Sequence, residues 1–294
     1  MGVGVGVGMG TDQPDAKDLS AKAERLRALH EPGRPVVFVN AWDCASARVV
    51  EKAGAPAIAT TSAGVAFAHG YPDGQRIPPE RMLEAVARIC EAVSVPVSAD
   101  LESGYGDSAE SLERTVAGML DAGAVGLNLE DHSGAPTDPL LEPELQLDKI
   151  RAVREAGERR GVRIVLNART DSYLRGLGSR DEMFEETIRR GEAYRDAGAD
   201  CIFVPGVTDP AVIGEIVRRL QCPVNVLAAA GSPPIAELAR LGVARVSLGS
   251  GPMRAAMTVV RRLAEELAAK GTFSALEGID AHRLFNDLMS SIER

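Results

Sequence analysis

Asp100 and Glu102 stand two residues apart in the run SADLESGYGD, residues 98–107, where a short apolar stretch gives way to polar residues. Alternate residues of a strand point to one face, so this spacing puts both carboxylates on the same side. A third acid, Glu130, ends the next apolar run, VGLNLED. Neighbouring strands lie about 4.8 Å apart, close enough for the three to converge on one point. Carboxylates crowded at the exit of an apolar core repel one another and resist burial unless a cation neutralises them. The spacing therefore points to a divalent metal site. The competing reading makes Asp100 and Glu102 helix caps or solvated loop acids.

Other strand exits carry further chemistry. They supply Asn40, Trp42 and Asp43; then Thr60, Thr61 and Ser62, followed by Ala63 and Gly64; then Asn167, Arg169 and Asp171; and Asn225. Mg²⁺ takes few carboxylates, keeps several waters and suits an oxygen-rich substrate. A 2-oxo acid chelating such a metal becomes an electron sink, because the cation stabilises an enolate oxygen. Backbone N–H groups of Thr61, Ser62 and Ala63 suit a carboxylate or oxyanion. Arg169 suits a bidentate grip on a second anion, or else neutralises Glu130 or Asp171. His132 and His69 each fit a structural role as well as a catalytic one. Gly249-Ser250-Gly251 fits either a phosphate cradle or a tight turn.

Positioning these groups requires strands that end together. Eight short apolar, β-prone runs recur along the chain at 35–40, 56–61, 95–100, 124–129, 162–167, 200–205, 222–227 and 244–249. Between them lie stretches of helical spacing, such as Met82, Val86, Ile89, Val93 and Val212, Ile213, Ile216, Val217, Leu220. Several helices end on glycine, at Gly54, Gly123, Gly198 and Gly242, just before the next apolar run. Eight strand–helix units predict an α/β fold, a parallel (β/α)8 TIM barrel spanning 18–270, with its active site where the strands end. A doubly wound open sheet is disfavoured, since no G-x-G-x-x-G follows the first strand. Leu19, Ala23, Leu26 and Leu29 mark an amphipathic helix ahead of the barrel. Residues 271–294 form a helical extension whose apolar Ile279, Leu284, Leu288 and Ile292 need a partner surface, another subunit.

At 294 residues and 45% hydrophobic content the chain has ample material for one large core. Its net charge of −9, with no basic run, argues against nucleic acid. No apolar stretch is long enough to cross a bilayer. Residues 1–17, opening MGVGVGVGMG, lack the features of a signal peptide or of an N-myristoylation motif and read as a flexible tail. Cys44, Cys90, Cys201 and Cys222 have neither disulfide-framework nor zinc-site spacing, which fits a cytoplasmic protein with reduced thiols.

Five motifs in order give the chain a specific resemblance: Thr60-Thr61-Ser62-Ala63-Gly64-Val65-Ala66, Gly70-Tyr71-Pro72-Asp73, Asp100-Leu101-Glu102-Ser103-Gly104-Tyr105-Gly106, Leu129-Glu130-Asp131 and Ala168-Arg169-Thr170-Asp171. From about residue 35 to 265 the chain resembles the isocitrate lyase/phosphoenolpyruvate mutase superfamily. The resemblance implies a Mg²⁺-dependent enzyme, with Mn²⁺ as an alternative ion, that makes or breaks a bond beside a pyruvyl carboxylate. It implies that Asp100 touches the metal, that Glu102 and Glu130 hold its waters, and that Asp73 lies beside them. Thr61 and Ser62 would bind the substrate carboxylate and Arg169 its other anionic end. It further implies a homotetramer, a dimer of dimers with exchanged C-terminal helices. The group that defines the reaction departs from the pattern. The lyases' K-[KR]-C-G-H loop is absent, His132 stands where the phosphonate enzymes carry lysine, Thr137-Asp138-Pro139 offers no replacement for their further Lys and Asn, and Pro205 replaces a lyase glutamate.

The expectation is a Mg²⁺-dependent carbon–carbon lyase or decarboxylase acting on a small 2-oxo or 2-hydroxy di- or tricarboxylate through a metal-stabilised enolate. Its proton-transfer candidates are His132 and Tyr105, with Asp73 beside the metal acids. The substrate-binding candidates are Thr61, Ser62, Ala63, Arg169, Asn225 and Trp42. The alternatives are carbon–phosphorus chemistry of the mutase or phosphonopyruvate hydrolase kind, and a barrel that binds a carboxylate without turning it over.

Overall fold

The structure, a computed structural model, describes residues 14–134 and 140–291. Most of the N-terminal tail, Thr137-Asp138-Pro139 and Ile292 lie outside the described residues. A strand overlaps each of the eight apolar runs, with β4 and β5 extending one and two residues beyond theirs: β1 Val36–Phe38, β2 Ile58–Ala59, β3 Val97–Asp100, β4 Gly126–Glu130, β5 Val165–Arg169, β6 Cys201–Val204, β7 Val224–Leu227 and β8 Arg245–Ser247. Every pairing is parallel and the order is β1-β8-β7-β6-β5-β4-β3-β2. The ring closes between β1 and β2 through the single bridge Ala41–Thr60, where Ala41 N–H donates to Ala59 O at 2.9 Å and Thr61 N–H to Ala41 O at 3.1 Å. Helices follow the strands and cover the ring, as a (β/α)8 barrel requires.

The helix-ending glycines take the left-handed backbone that the sequence pattern anticipates, with φ of 89° at Gly123 and 113° at Gly198. A side chain would be strained there, and each glycine turns the chain from a helix straight into the next strand.

Below the strand exits the barrel is unusually polar. Asn167 Nδ2 donates to Asn128 Oδ1 at 2.7 Å, and Asn225 Nδ2 donates to Ser247 Oγ at 3.1 Å. Arg245, fully buried, lies 4.6 Å over the Phe38 ring and donates to Asn128 Oδ1 at 3.4 Å. Burial lowers its pKa to about 10. Beneath it the amphipathic helix Ala16–Ala28 plugs the barrel floor with Leu19, Ala23 and Leu26. His30 joins the two. Its Nδ1 lies 2.9 Å from Leu26 O, a carbonyl that only accepts, so Nδ1 carries the proton and Nε2 accepts from Arg245 Nη1 at 3.4 Å. Burial, reinforced by the Arg245 charge, holds His30 down at about 4, so the ring is neutral at pH 7.

The eighth helix, Gly251–Lys270, buries only Met253. The extension beyond it is broken, with a 3-10 turn at Ser274–Leu276 and a helix at His282–Ser290, separated around Gly278 at φ 73°. Leu288 packs inward and its carbonyl accepts from Arg48 at 3.3 and 3.4 Å, while Ile279, Leu284 and Phe285 remain exposed.

Candidate active site

Asp100 closes β3 at the barrel mouth. Its Oδ2 accepts two hydrogen bonds from Ser62, from the backbone N–H and from Oγ, both at 2.9 Å, and its own N–H donates to Thr60 Oγ1 at 2.8 Å. Its Oδ1 is buried without a partner. Thr61 forms the N-cap of the helix Ser62–Ala68, which carries Ala63 in its first turn. Gly64 must stay small, because a β-carbon there would lie 2.6 Å from Thr61 Cγ2 and 3.0 Å from Trp42 Cβ. Trp42 is thereby packed against the turn, its backbone N–H donating to Ser46 Oγ at 3.0 Å.

Glu102 reaches the same region by a route that strand alternation does not describe. β3 ends at Asp100, and Glu102 sits in a turn at φ 54°. Its Oε2 accepts from Gln75 N–H at 2.5 Å and its Oε1 is buried without a partner. Burial first, then the charges of Asp100 and Asp73, raises its pKa to about 7. Asp73 itself is exposed at the rim. Tyr105 follows at φ 57° with its hydroxyl buried; burial and the nearby Glu102, Asp100 and Asp73 hold that hydroxyl firmly protonated.

Glu130 and Arg169 are register partners across β4 and β5, and their side chains pair at 2.6 Å. The guanidinium also grips Asp171 with two nitrogens, at 2.6 and 2.9 Å, and lies 5.8 Å from the Phe203 ring. Arg169 thus bridges two carboxylates, the neutralising role weighed from sequence. Burial nevertheless drives Glu130 well above the usual carboxylate range, Arg169 offsetting part of that rise while Asp171, Asp100 and Glu102 add to it. His132 Nδ1 stands 4.0 Å from Glu130 Oε1. Burial, then the Arg175 charge, lowers the imidazole pKa, which leaves the ring neutral at pH 7.

Two expectations change and one open reading closes. Among the described residues no group of three His, Cys, Asp or Glu side chains is close enough to hold one ion directly. The acids surround the site without converging on a point, because Glu130 is drawn to Arg169 and Glu102 to Gln75. Asn225 is sealed inside the barrel with its amide bonded to Ser247, so it does not stand open at the rim. The Gly249-Ser250-Gly251 turn is no phosphate cradle: the N–H groups of Leu248 and Gly249 both donate to Asn40 Oδ1 at 2.9 Å.

Gln75 and the pair Arg190 and Tyr194 escaped the sequence reading, and Asp131 entered it only as part of a motif. Gln75, in the loop between the helices Ser62–Ala68 and Pro79–Ala92, ties that loop to the turn after β3. Asp131, fully buried, accepts from Asp171 N–H at 3.0 Å, Arg190 Nη1 at 3.2 Å and Tyr194 Oη at 2.8 Å. This network fixes the backbone of Asp171, which in turn holds Arg169. Arg190 and Tyr194 come from the helix Arg180–Asp196, far along the chain from Asp131.

The site fits a cation. Two buried carboxylate oxygens, Asp100 Oδ1 and Glu102 Oε1, have no donor in good hydrogen-bond geometry, although the Tyr105 hydroxyl lies beside Glu102, and hard divalent ions take such oxygens together with water. Fold and site together define a (β/α)8-barrel enzyme of the lyase and mutase type. The phosphoenolpyruvate phosphomutase family pattern matches residues 26–268, and the chain belongs to that family, within the isocitrate lyase/phosphoenolpyruvate mutase superfamily. It is 40% identical over 230 residues to Rv1998c of Mycobacterium tuberculosis, an uncharacterized protein, covering 78% of this chain and 83% of that one. It is 30% identical over 288 residues to the 2-methylisocitrate lyase of Escherichia coli, covering 90% and 93%. The solved phosphonopyruvate hydrolase complex with oxalate and Mg²⁺ superposes with a TM-score of 0.79 at 27% identity, covering 92% of this chain and 95% of that one.

Proposed function

We propose that this protein is a Mg²⁺-dependent carbon–carbon lyase or decarboxylase for a small 2-oxo or 2-hydroxy di- or tricarboxylate. The observation that carries the reading is the pair of buried, partnerless oxygens on Asp100 and Glu102 beside the Glu130–Arg169 pair. Asp100 would hold the ion directly, with Glu102 and Glu130 holding its waters; Mn²⁺ suits the same oxygens. When bound, the ion would orient the substrate's carboxylate and 2-oxygen and stabilise negative charge developing there.

The protein's own groups supply the rest. Of the donors expected from sequence, Thr61 N–H already serves Ala41 O and both Ser62 donors serve Asp100, so Ala63 N–H in the first turn is left to meet the substrate carboxylate, with Trp42 walling that end. Arg169, held in one orientation by Asp171, presents its charge to the distal anionic group. For a 2-hydroxy acid, neutral His132 accepts the hydroxyl proton, the C2–C3 bond breaks, and its electron pair is delocalised into the carboxylate adjoining C3. Tyr105 Oη then returns a proton to C3. For a 2-oxo diacid the bond to the outgoing carboxylate breaks instead, and the electron pair stays in the enolate until the same hydroxyl protonates it.

Two aspects of the setting follow from the same residues. A (β/α)8 barrel covers the outer face of each strand with a helix. Here an apolar groove of about 780 Å³ lies open outside β1, lined by Val37, Val39, Val49 and Val50. The eighth helix meanwhile exposes Met257, Val259, Val260 and Leu267. A helix from a second copy fits that groove, and an exchanged dimer pairing again into a tetramer is the assembly proposed; sedimentation equilibrium should read four chains, and a monomer would refute it. The four cysteines are unpaired and in part buried, which suits a reducing cytoplasm. No described helix is long and apolar enough to cross a membrane.

The test is incubation with oxaloacetate, 2-methylisocitrate, 2,3-dimethylmalate and phosphonopyruvate, with and without Mg²⁺, followed by proton and phosphorus NMR. Metal-dependent cleavage of a carboxylate is the expected result. Carbon–phosphorus turnover would replace the proposal with the hydrolase or mutase reading. Ligand-induced thermal shifts without turnover would favour a binding protein.

A further inference from the structure

Four non-glycine residues have a left-handed backbone among the described ones, and three of them meet at the site: Gln75 at φ 56°, Glu102 at 54° and Tyr105 at 57°. A β-carbon makes this conformation unfavourable, and such residues persist only where their surroundings over-determine them. Glycines at the neighbouring Gly74 and Gly104, with φ of 88° and 92°, take similar turns without that cost. Position 75 nonetheless carries a long amide.

That amide links two loops. Gln75 N–H donates to Glu102 Oε2 at 2.5 Å, its Nε2 donates to Ser103 Oγ, and its Oε1 accepts from Tyr105 N–H at 2.8 Å. One side chain and its own backbone therefore fix three consecutive features of the turn: the Glu102 carboxylate, the Ser103 hydroxyl and the start of Tyr105. Glu102 Oε2 is held, so its partnerless Oε1 is left in a single orientation.

We propose that Gln75 is a positioning residue: it sets the Glu102 carboxylate and the Tyr105 turn for the bound cation and substrate, at the expense of backbone strain. The inference rests on the reading of Asp100, Glu102 and Glu130 as the cation site. A residue serving the fold alone would be replaced by glycine or asparagine with loss of stability. A residue serving the site would give up binding while the fold gained or held.

Gln75→Gly and Gln75→Asn separate these cases in the full chain. Both residues accept a left-handed backbone and keep the N–H at position 75, so what they remove is the side-chain clamp on Ser103 and Tyr105 that holds the two loops together and keeps this N–H against the Glu102 carboxylate. The readouts are affinity for Mn²⁺ alone, by electron paramagnetic resonance, and the thermal midpoint of the metal-free protein. The expected result is an unchanged or raised midpoint with Mn²⁺ affinity weakened about tenfold or more, the usual scale for a group that orients a ligand. Turnover, where a substrate is in hand, should lose kcat more than it changes KM. Wild-type Mn²⁺ affinity in both variants would overturn the proposal, as would a midpoint that falls in step with affinity. Absence of Mn²⁺ binding in the wild type, or its persistence in Asp100→Asn, would bring down the cation-site reading and this inference together.

Discussion

Asp100→Asn should lose Mg²⁺-dependent turnover by about a thousandfold or more, equivalent to ~4 kcal/mol of transition-state stabilisation, while the metal-free protein becomes more stable. Both halves follow from one set of contacts. Asparagine keeps the shape of aspartate, and its side-chain oxygen still accepts the Ser62 N–H and Oγ donors now at 2.9 Å, so the helix Ser62–Ala68 keeps its anchor. What changes is the charge and the second oxygen, the buried Oδ1 that no protein group satisfies. The charge of Asp100 raises Glu102 and contributes to the rise of Glu130, so removing it relieves repulsion in the metal-free state. A substitution that stabilises the fold and removes function marks a group kept for its ligand. Thermal melts with and without Mg²⁺ read both effects: the wild type should gain stability from the ion and the variant should not. Retained turnover would place the chemistry elsewhere in the barrel.

The barrel was legible because its eight strands are short, apolar and separated by helices of regular spacing, and because glycines such as Gly123 and Gly198 punctuate each return to the sheet. Asp100 was legible for the same reason: it ends a strand in phase with the interior. Glu102 was assigned to the right region by reasoning that does not hold, since alternation stops at Asp100 and a left-handed turn places the next acid. No periodicity reports such a turn when the residue is not glycine. The Asp131–Arg190–Tyr194 network was hidden by distance along the chain, because only the closed ring brings the helix Arg180–Asp196 to the exit of β4. The turn at Gly249 stayed open between two readings for the opposite reason. Its composition suits an anion, yet Asn40, just past the end of the neighbouring strand β1, already takes the donors.

Mg²⁺ binding should also release protons, and its affinity should fall by about two orders of magnitude between pH 8.5 and pH 6, because protons and metal compete for the same oxygens. The direction comes from the raised carboxylates. Glu102 stands near 7 instead of its ordinary 4.5, through burial and the charges of Asp100 and Asp73. Glu130 is also raised, through burial that Arg169 only partly offsets. Between the ordinary carboxylate range and neutrality the metal-free native state therefore binds more protons than the unfolded chain, so its stability falls as pH rises through that window. A bound cation favours the ionised acids, and the same window should become nearly flat when Mg²⁺ is present. Calorimetric titration at pH 7 in two buffers of different ionisation enthalpy counts the protons released, and urea melts across pH 5 to 8.5 follow the stability. Asp100→Asn removes one source of repulsion, so the midpoint of the fall in stability should move to lower pH. A Mg²⁺ affinity independent of pH, with no buffer dependence of the heat, would mean that Glu102 and Glu130 are already ionised without metal.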